Sequence, residues 1–239
     1  MKIKLNPKSQ IVVLTGAGVS AESGLKTFRD NNGLWENHRV EDVATPEAFR
    51  QFPELVWKFY KDRYFQLAQV KPNPAHVALV ELENFLGDNF NLITQNVDGL
   101  HFKAGNKNVI EMHGSLYECF CSDCNNRFLM KDIDLDLEIP VCSKCRGYLR
   151  PDIVWFGEIP YHLNRIQQIM SKLDLFLVIG TSGIVYPAAQ LLPIAKSCGA
   201  HTVGINLEEP ANLLYLDDFY KGLSGEILPD LVKQWIGKV

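Results

Sequence analysis

Four cysteines, Cys121, Cys124, Cys142 and Cys145, form two C-x-x-C knuckles separated by seventeen residues. Each knuckle turns tightly enough to aim two thiolates at one point, and two knuckles complete a tetrahedral Zn²⁺ shell. Four thiolates leave no coordination position open, so a metal held there staples the fold rather than activating water. A pair of disulfides would use the same residues. The spacing nevertheless lies inside the zinc window, and the cysteines are clustered rather than dispersed as an extracellular framework. Cys119 and Cys198 remain as ordinary thiols, since only Cys121 completes a C-x-x-C with Cys124. A second feature is Gly16, Gly18 and Ala21, a G-x-G-x-x-A pattern after an apolar run. Such a turn permits close backbone approach to a pyrophosphate, and it is also a common plain connection. Arg29 could neutralise phosphate while Phe28 covers a ring, or the two could be a solvated cation and a core aromatic. Six histidines offer imidazoles that titrate near neutrality, as a general base must, and spacing does not choose among them.

The elements that must position these groups read as α/β. Ile11 to Thr15 is a β-branched strand running into the glycine turn; Asn91 to Thr94, Val109 to Met112, Leu175 to Ile179 and Thr202 to Ile205 are further strands. Pro53 to Val70 and the segment from Asn73-Pro74 to about Phe85 are helical, as is Pro187 to Cys198. Strands alternating with helices imply a parallel sheet wound by right-handed crossovers. Ligands then collect at the carboxyl ends of strands, after Thr15, Thr94, Ile179 and Ile205. From Leu116 to about Tyr148 the rhythm breaks into the cysteine segment, with an acidic excursion from Lys131 to Glu138. The acid that ends the second strand of a plain dinucleotide-binding dehydrogenase is not evident, which argues against that class.

The chain has 239 residues, 46% of them hydrophobic, and a formal net charge of −4. That suits one large domain with an insert, and it argues against a nucleic-acid scaffold with broad phosphate contacts. Met1 to Gln10 lacks an apolar core, and no run is long enough to span a membrane, so the cytoplasm is the expected compartment.

Taken in order, the motifs resemble one family. GAGVSAESGLKTFRD (Gly16 to Asp30), TQNVDGLH (Thr94 to His101), His113-Gly114-Ser115, the two knuckles, PDIVWFGE (Pro151 to Glu158), GTSGIVYPAA (Gly180 to Ala189) and Asn206 are together similar to the NAD-dependent protein deacylases called sirtuins. The resemblance covers almost the whole chain. It implies a Rossmann-like NAD-binding domain (1–37, 87–115 and 150–239), with a smaller domain made of a helical insertion (38–86) and a zinc-ribbon module (116–149). It implies NAD and one structural Zn²⁺ as cofactors. By position, Gly16, Ala17, Thr27, Phe28 and Arg29 line the phosphate and nicotinamide side, and Gln95, Asn96 and Asp98 hold the nicotinamide ribose and carboxamide. Gly180, Thr181, Ser182 and Asn206 meet phosphate and adenine ribose, and Ser224 presents backbone to adenine. The resemblance selects His113 as the base that deprotonates a ribose hydroxyl, with Asn96 beside it as the second catalytic residue; His76 and His101 stay structural. Phe156, Gly157, Glu158 and the segment Gly183 to Val185 clasp an acyl-lysine peptide by strand addition.

One inference reaches the acyl group. At about 100° per residue, Phe52, Leu55, Val56, Phe59 and Leu67 share one apolar helix face, and Arg63 falls near its centre. A guanidinium there is costly unless it is paired or lines a pocket. Tyr60-x-x-Arg63 resembles the pair that binds the distal carboxylate of succinyl-, malonyl- or glutaryl-lysine in desuccinylase-type sirtuins, and Ala44 matches the small residue that widens that pocket. An internal bridge from Arg63 to a carboxylate is the plainer alternative. The expected function is thus an NAD-dependent deacylase of acidic acyl-lysines, with acetyl-lysine as a further substrate, acting as a monomer. An NAD glycohydrolase or ADP-ribosyltransferase on the same fold, or a non-catalytic NAD sensor, are the alternatives.

Overall fold

A computed structural model describes residues 3–26, 34–35 and 38–238. The chain begins with β1 (Ile11–Thr15) and the single-turn α1 (Gly18–Ala21), then the short antiparallel pair β2 (Leu34–Trp35) and β3 (His38–Arg39). Four helices follow: α2 (Val40–Val43), α3 (Pro46–Gln51), α4 (Pro53–Leu67) and α5 (Pro74–Leu86). Proline occupies the first turn of α3, α4 and α5, where its missing N–H costs nothing. Asn73 caps α5 by accepting from the Ala75 N–H at 2.9 Å, and the His76 ring accepts from the Asn73 N–H, so the cap is reciprocal. The expected helix to Val70 ends as α4 at Leu67. Its last residues close i,i+3 bonds, such as Val70 N–H to the Leu67 carbonyl at 3.3 Å, ahead of Pro72.

The chain continues through β4 (Phe90–Thr94), α6 (Leu100–Ala104), β5 (Val109–Glu111), β6 (Gly114–Cys121), β7 (Arg127–Leu129) and β8 (Leu149–Ile153). It ends with α7 (Leu163–Ile169), β9 (Leu175–Ile179), α8 (Leu191–Ser197), β10 (His201–Asn206), β11 (Asp218–Lys221) and α9 (Ser224–Ile236). The helix expected over Pro187 to Cys198 is α8 preceded by a 3₁₀ turn at Ala188–Gln190.

The large sheet is parallel throughout, in the order β11-β10-β9-β1-β4-β5. Strand β1 is central and alternates faces. Ile11 and Val13 join a core with α5 and α9, while Val12 and Leu14 join one with α7 and α8. The chain moves outward from β1 through β4 and β5, then returns to β9 on the other side. The topological switch point therefore lies between the carboxyl ends of β1 and β9, where an open α/β sheet holds its ligand. Among the described residues, no helix is long and apolar enough to cross a membrane.

A third core unites α2, α3 and α4 with the antiparallel sheet β7-β6-β8. This revises two expected boundaries. The helical insertion does not run to residue 86, because Ala75, Ala78, Leu79, Leu82 and Leu86 of α5 bury against the large sheet and α9. The zinc-bearing sheet is wider than 116–149: it starts at Gly114, and Ile153 and Trp155 still belong to its core. Phe52 is also off the expected apolar face. It joins α3 to α4 and is 57% exposed.

Candidate active site and metal centre

The glycine turn and the loop after β9 touch at the switch point. Gly16 N–H donates to the Ile179 carbonyl at 3.0 Å and Gly18 N–H to that of Gly180 at 2.9 Å. A Cβ on Gly18 would come within 2.6 Å of the Gly180 Cα, and Gly180 itself has φ +63°. Glycine at both positions lets the two strand ends close on one another. Ala17 sits at the tip of this turn. Thr27, Phe28 and Arg29 lie outside the described residues.

Beneath the turn is a buried polar network. The Asn96 amide donates to Ser20 Oγ at 3.0 Å, and the Ser20 hydroxyl donates to Asp98 Oδ2 at 2.7 Å. The other Asp98 oxygen accepts from the Leu100 N–H at 2.9 Å. All three side chains are buried, and burial raises the Asp98 carboxyl from its ordinary value even though these two bonds oppose it. Ser20 was not singled out from sequence. Its only signal was its place in the run after Gly18.

Thr94 Oγ1 accepts from both the Asn96 N–H, at 3.0 Å, and the Thr15 hydroxyl, at 2.9 Å. The Thr15 proton is thereby used, so Thr15 accepts from His101 Nε2, 2.9 Å away. His101 Nδ1 is then a lone-pair acceptor. His76 Nδ1 accepts from Asn73, so its Nε2 carries the hydrogen; the two ring centroids lie 4.9 Å apart, and neither His76 Nε2 nor His101 Nδ1 has a hydrogen-bond partner among the described residues. Burial lowers His76 to about 4 and His101 to about 3, so both are neutral. They build the scaffold, as the sequence suggested.

His113 differs in having a free direction. Its Nδ1 lies 3.1 Å from the Gln95 carbonyl, which can only accept, so Nδ1 bears the proton and Nε2 keeps its lone pair. Burial holds the imidazole below its ordinary value, and the Gln95 bond partly offsets that. The ring is thus a neutral base at pH 7. Gln95 is held by its N–H to the Thr15 carbonyl at 2.9 Å and by its side chain to Thr181 Oγ1 at 3.2 Å. Glu111, at the end of β5, is pushed up to about 7 by burial and then by Glu118 and Asp98.

Along the adjoining strand ends, Asn206 donates to the Thr181 carbonyl at 3.1 Å, and Ser182 Oγ accepts from the Ile184 N–H at 3.4 Å. Ser224 is buried and donates to Glu22 Oε1 at 2.8 Å, while the Gly225 N–H reaches the same carboxylate at 2.9 Å. Glu22, which sequence reasoning missed, therefore caps α9. Gln95, Asn96, Asp98, Thr181, Ser182 and Asn206 converge at the ends of β4, β9 and β10. That polar set, at the switch point of an otherwise apolar sheet, has the chemistry to hold a dinucleotide.

The small core supplies the other wall. Tyr60 is fully buried, and its oxygen accepts from the Trp155 indole N–H at 2.9 Å. Arg63 is 9% exposed, with its guanidinium 3.8 Å from the centroid of the Phe59 ring. Ala44 is buried and its carbonyl accepts from the Phe156 N–H at 3.0 Å. Phe156 is 55% exposed, and Ile184 and Tyr186, in the loop after β9, are exposed as well. Gly157 has φ +91°. The Glu158 carboxylate is taken up by Arg150, at 2.8 and 2.9 Å, and by the Trp155 N–H, so Glu158 braces the turn with its side chain. The Val185 carbonyl accepts from the Ala189 N–H.

Cys121, Cys124, Cys142 and Cys145 bring their four sulfur atoms within 4.8 Å of one another. The Cys121–Cys145 and Cys124–Cys142 separations are 3.4 and 3.7 Å. A tetrahedron with Zn–S near 2.3 Å puts sulfurs about 3.8 Å apart, so the set fits one zinc ion with no position left open. Cys119 lies outside the set, buried in the small core, and Cys198 is exposed.

Comparison with known proteins agrees with this geometry. The Sir2 family model matches residues 16–187. An NAD-dependent protein deacylase of Pyrococcus furiosus is 48% identical over 237 residues, covering 96% of this chain and 94% of its own. A mutant Sir2 homologue solved in complex with ADP ribose superimposes with a TM-score of 0.89 at 42% identity, over 95% of this chain and 92% of that one. A Sir2 homologue in complex with NAD gives 0.86 at 42% identity, over 95% and 90%. The chain belongs to the Sir2 family.

Proposed function

We propose that this chain is an NAD-dependent protein deacylase that removes acidic acyl groups (succinyl, malonyl and glutaryl) from lysine, and acetyl groups as well. The products are nicotinamide, free lysine and 2′-O-acyl-ADP-ribose. The observation that carries the acyl preference is Arg63, a guanidinium buried in the small core one turn from the buried Tyr60 hydroxyl, with Ala44 in the same core. An arginine fork and a phenol donor suit one carboxylate in a site closed to water.

The residues divide the remaining work. NAD, when bound, supplies a ribose carbon that becomes electrophilic as nicotinamide leaves. The Gly16–Ala17 turn faces its phosphates, and Thr181, Ser182, Asn206 and Ser224 the adenosine half; the sequence resemblance adds Arg29 as a phosphate partner. Asn96, oriented by Ser20, and Asp98 hold the nicotinamide half. His113 takes a proton at Nε2 from a ribose hydroxyl, and the Gln95 carbonyl holds the ring in the tautomer that makes this possible. Main chain at Phe156 to Glu158 and Gly183 to Val185 clasps the peptide, and Phe156 covers the acyl chain. A zinc ion held by Cys121, Cys124, Cys142 and Cys145 would have no coordination position open and would serve structure alone. We place the enzyme in the cytoplasm as a monomer without a nucleic-acid partner.

The test is product-resolved turnover of matched succinyl-, acetyl- and unmodified-lysine peptides with and without NAD. Faster NAD-dependent loss of succinyl than of acetyl is expected. Acetyl removal alone would retain the deacylase reading and remove the acidic preference. NAD consumption without loss of any acyl group would remove both.

A further inference from the structure

The first turn of α9 has no cap of its own. Its N-cap residue is Leu223, which carries no side-chain acceptor, so the first amides of the helix need partners from elsewhere. Glu226 and Ile227 close on the Leu223 carbonyl at 3.2 and 3.1 Å. The Gly225 N–H goes instead to Glu22, at 2.9 Å to Oε1 and 3.2 Å to Oε2, and the Ser224 hydroxyl donates to Oε1 at 2.8 Å. A carboxylate at this end of a helix also gains from the macrodipole. Among the described residues nothing accepts from the Ser224 N–H, so one main-chain donor of the turn is left for a ligand.

Glu22 lies 202 residues earlier in the chain than Ser224 and belongs to another part of the site. It directly follows α1, the single turn that begins at Gly18 and carries Ser20. Asn73 pins the same segment on a different flank, its amide donating to the Val19 carbonyl at 2.7 Å and to Ser23 Oγ at 3.1 Å. The segment is thus fastened to α5 through Asn73 and to α9 through Glu22. The fit at α9 is close, because a Cβ on Gly225 would come within 2.6 Å of Glu22 Oε2. Glycine is a poor helix former, and its presence at this position makes room for the carboxylate.

We infer that Glu22 is a positioning residue for NAD: its carboxylate sets the first turn of α9 against the glycine turn, so that the Ser224 main chain meets adenine while Gly16 and Ala17 meet the phosphates. The inference rests on the reading that Ser224 faces the adenosine half. It joins the two halves of the cofactor site, since the segment that Glu22 anchors also presents Ser20 to Asn96 and Asp98.

The experiment follows ADP-ribose binding by calorimetry and by the amide resonance of Ser224, which ADP-ribose should shift in the unmodified protein. Glu22→Ala should raise the Kd for ADP-ribose about tenfold, the lower end for losing hydrogen bonds to a charged group. The KM for NAD should rise with it, leaving kcat and the peptide KM unchanged. Glu22→Gln keeps Oε1 as an acceptor for both partners and should restore most of the affinity. Gly225→Ala does not weaken the helix but drives a methyl group into the carboxylate, so it should raise the Kd as well, even if Glu22→Ala folds poorly. In the Glu22→Ala background it should add nothing. An unchanged Kd in Glu22→Ala and Gly225→Ala, with the Ser224 amide still shifting, would overturn the inference and leave the adenine placement standing. A Ser224 amide that ignores ADP-ribose in the unmodified protein would remove that placement and the inference with it. Losses in kcat and peptide KM alongside Kd, in step with a lower folded fraction, would reduce Glu22 to a structural cap.

Discussion

Arg63→Met is the substitution with the most to say about substrate choice. Methionine is unbranched and can set its sulfur against the Phe59 ring where the guanidinium lies, so packing changes little: a cation–π contact of about 0.5–2 kcal/mol gives way to a sulfur–aromatic one of about 0.3–1.5 kcal/mol. The charge is another matter. A carboxylate brought beside a buried position with no guanidinium to meet it loses about 3–5 kcal/mol, the cost of breaking a buried ion pair from one side. At 1.36 kcal/mol per decade this is roughly two to three and a half orders of magnitude in kcat/KM for succinyl-lysine. Acetyl-lysine has no distal charge, and its rate is expected to change by no more than about threefold, on the packing difference alone. The assay is mass-spectrometric progress curves on peptides that differ only in the acyl group, at saturating NAD. A parallel fall on both substrates would refute the reasoning, because it would mean that Arg63 holds the small core together rather than reading a carboxylate.

Other perturbations address the remaining parts. Cys142→Ala should lower bound zinc from one ion per chain to none and red-shift tryptophan emission, because Trp57 donates to the Leu149 carbonyl beside the metal sheet and Trp155 shares that core; zinc retained at one per chain would show the ligand set to be wrong. Burial holds the His113 imidazole below its ordinary 6.5, so its base form predominates at neutral pH and the acid limb of kcat/KM should fall below that value; a limb centred at or above 6.5, or full activity in His113→Ala, would contradict its role. His76 and His101 stay neutral in the fold down to about 4 and about 3, while in the unfolded chain they take up protons near 6.5. The unfolded state then binds more protons, so stability should be complete above 6.5 and fall by about 1.4 kcal/mol per pH unit for each histidine as pH drops from there. His101→Asn should remove one of the two contributions, and an unchanged slope in denaturant titrations between pH 6.5 and 4.5 would rule the account out.

Local signals in the chain carried much of this. The strand-to-glycine turn at Thr15–Gly16, the cysteine spacing and the Asn73-Pro74 cap each depend on neighbours a few residues away, and each has the form expected. Arg63 was visible because it broke an apolar face. What escaped were partners chosen across the fold. An amphipathic helix such as α5 shows that one face is buried without showing against which core, and it was placed with the wrong one. Trp57 and Trp155 were not singled out, because their acceptors, the Leu149 carbonyl and Tyr60, are 92 and 95 residues distant. Ser20 and Glu22 are short polar side chains near a turn, and only the arrival of Asp98 and of α9 gives them work.

The division of the small core between two stretches of chain has a consequence for biosynthesis. Helices α2 to α4 leave the ribosome with Val56, Trp57, Phe59 and Tyr60 prepared to be covered, yet their cover is β6, β8 and Trp155. Tyr60 precedes Trp155 by 95 residues. At about 5–20 residues per second the wait is roughly 5–20 seconds, during which β4 and β5 emerge and can pair with β1. The nascent polypeptide therefore carries an apolar helical hairpin in search of a lid while its nucleotide sheet is only half built. Cys145 emerges shortly before that lid is complete, so metal capture and closure of the helices fall in one late step, and a cell short of zinc would accumulate chains stalled with this surface open to chaperones and proteases.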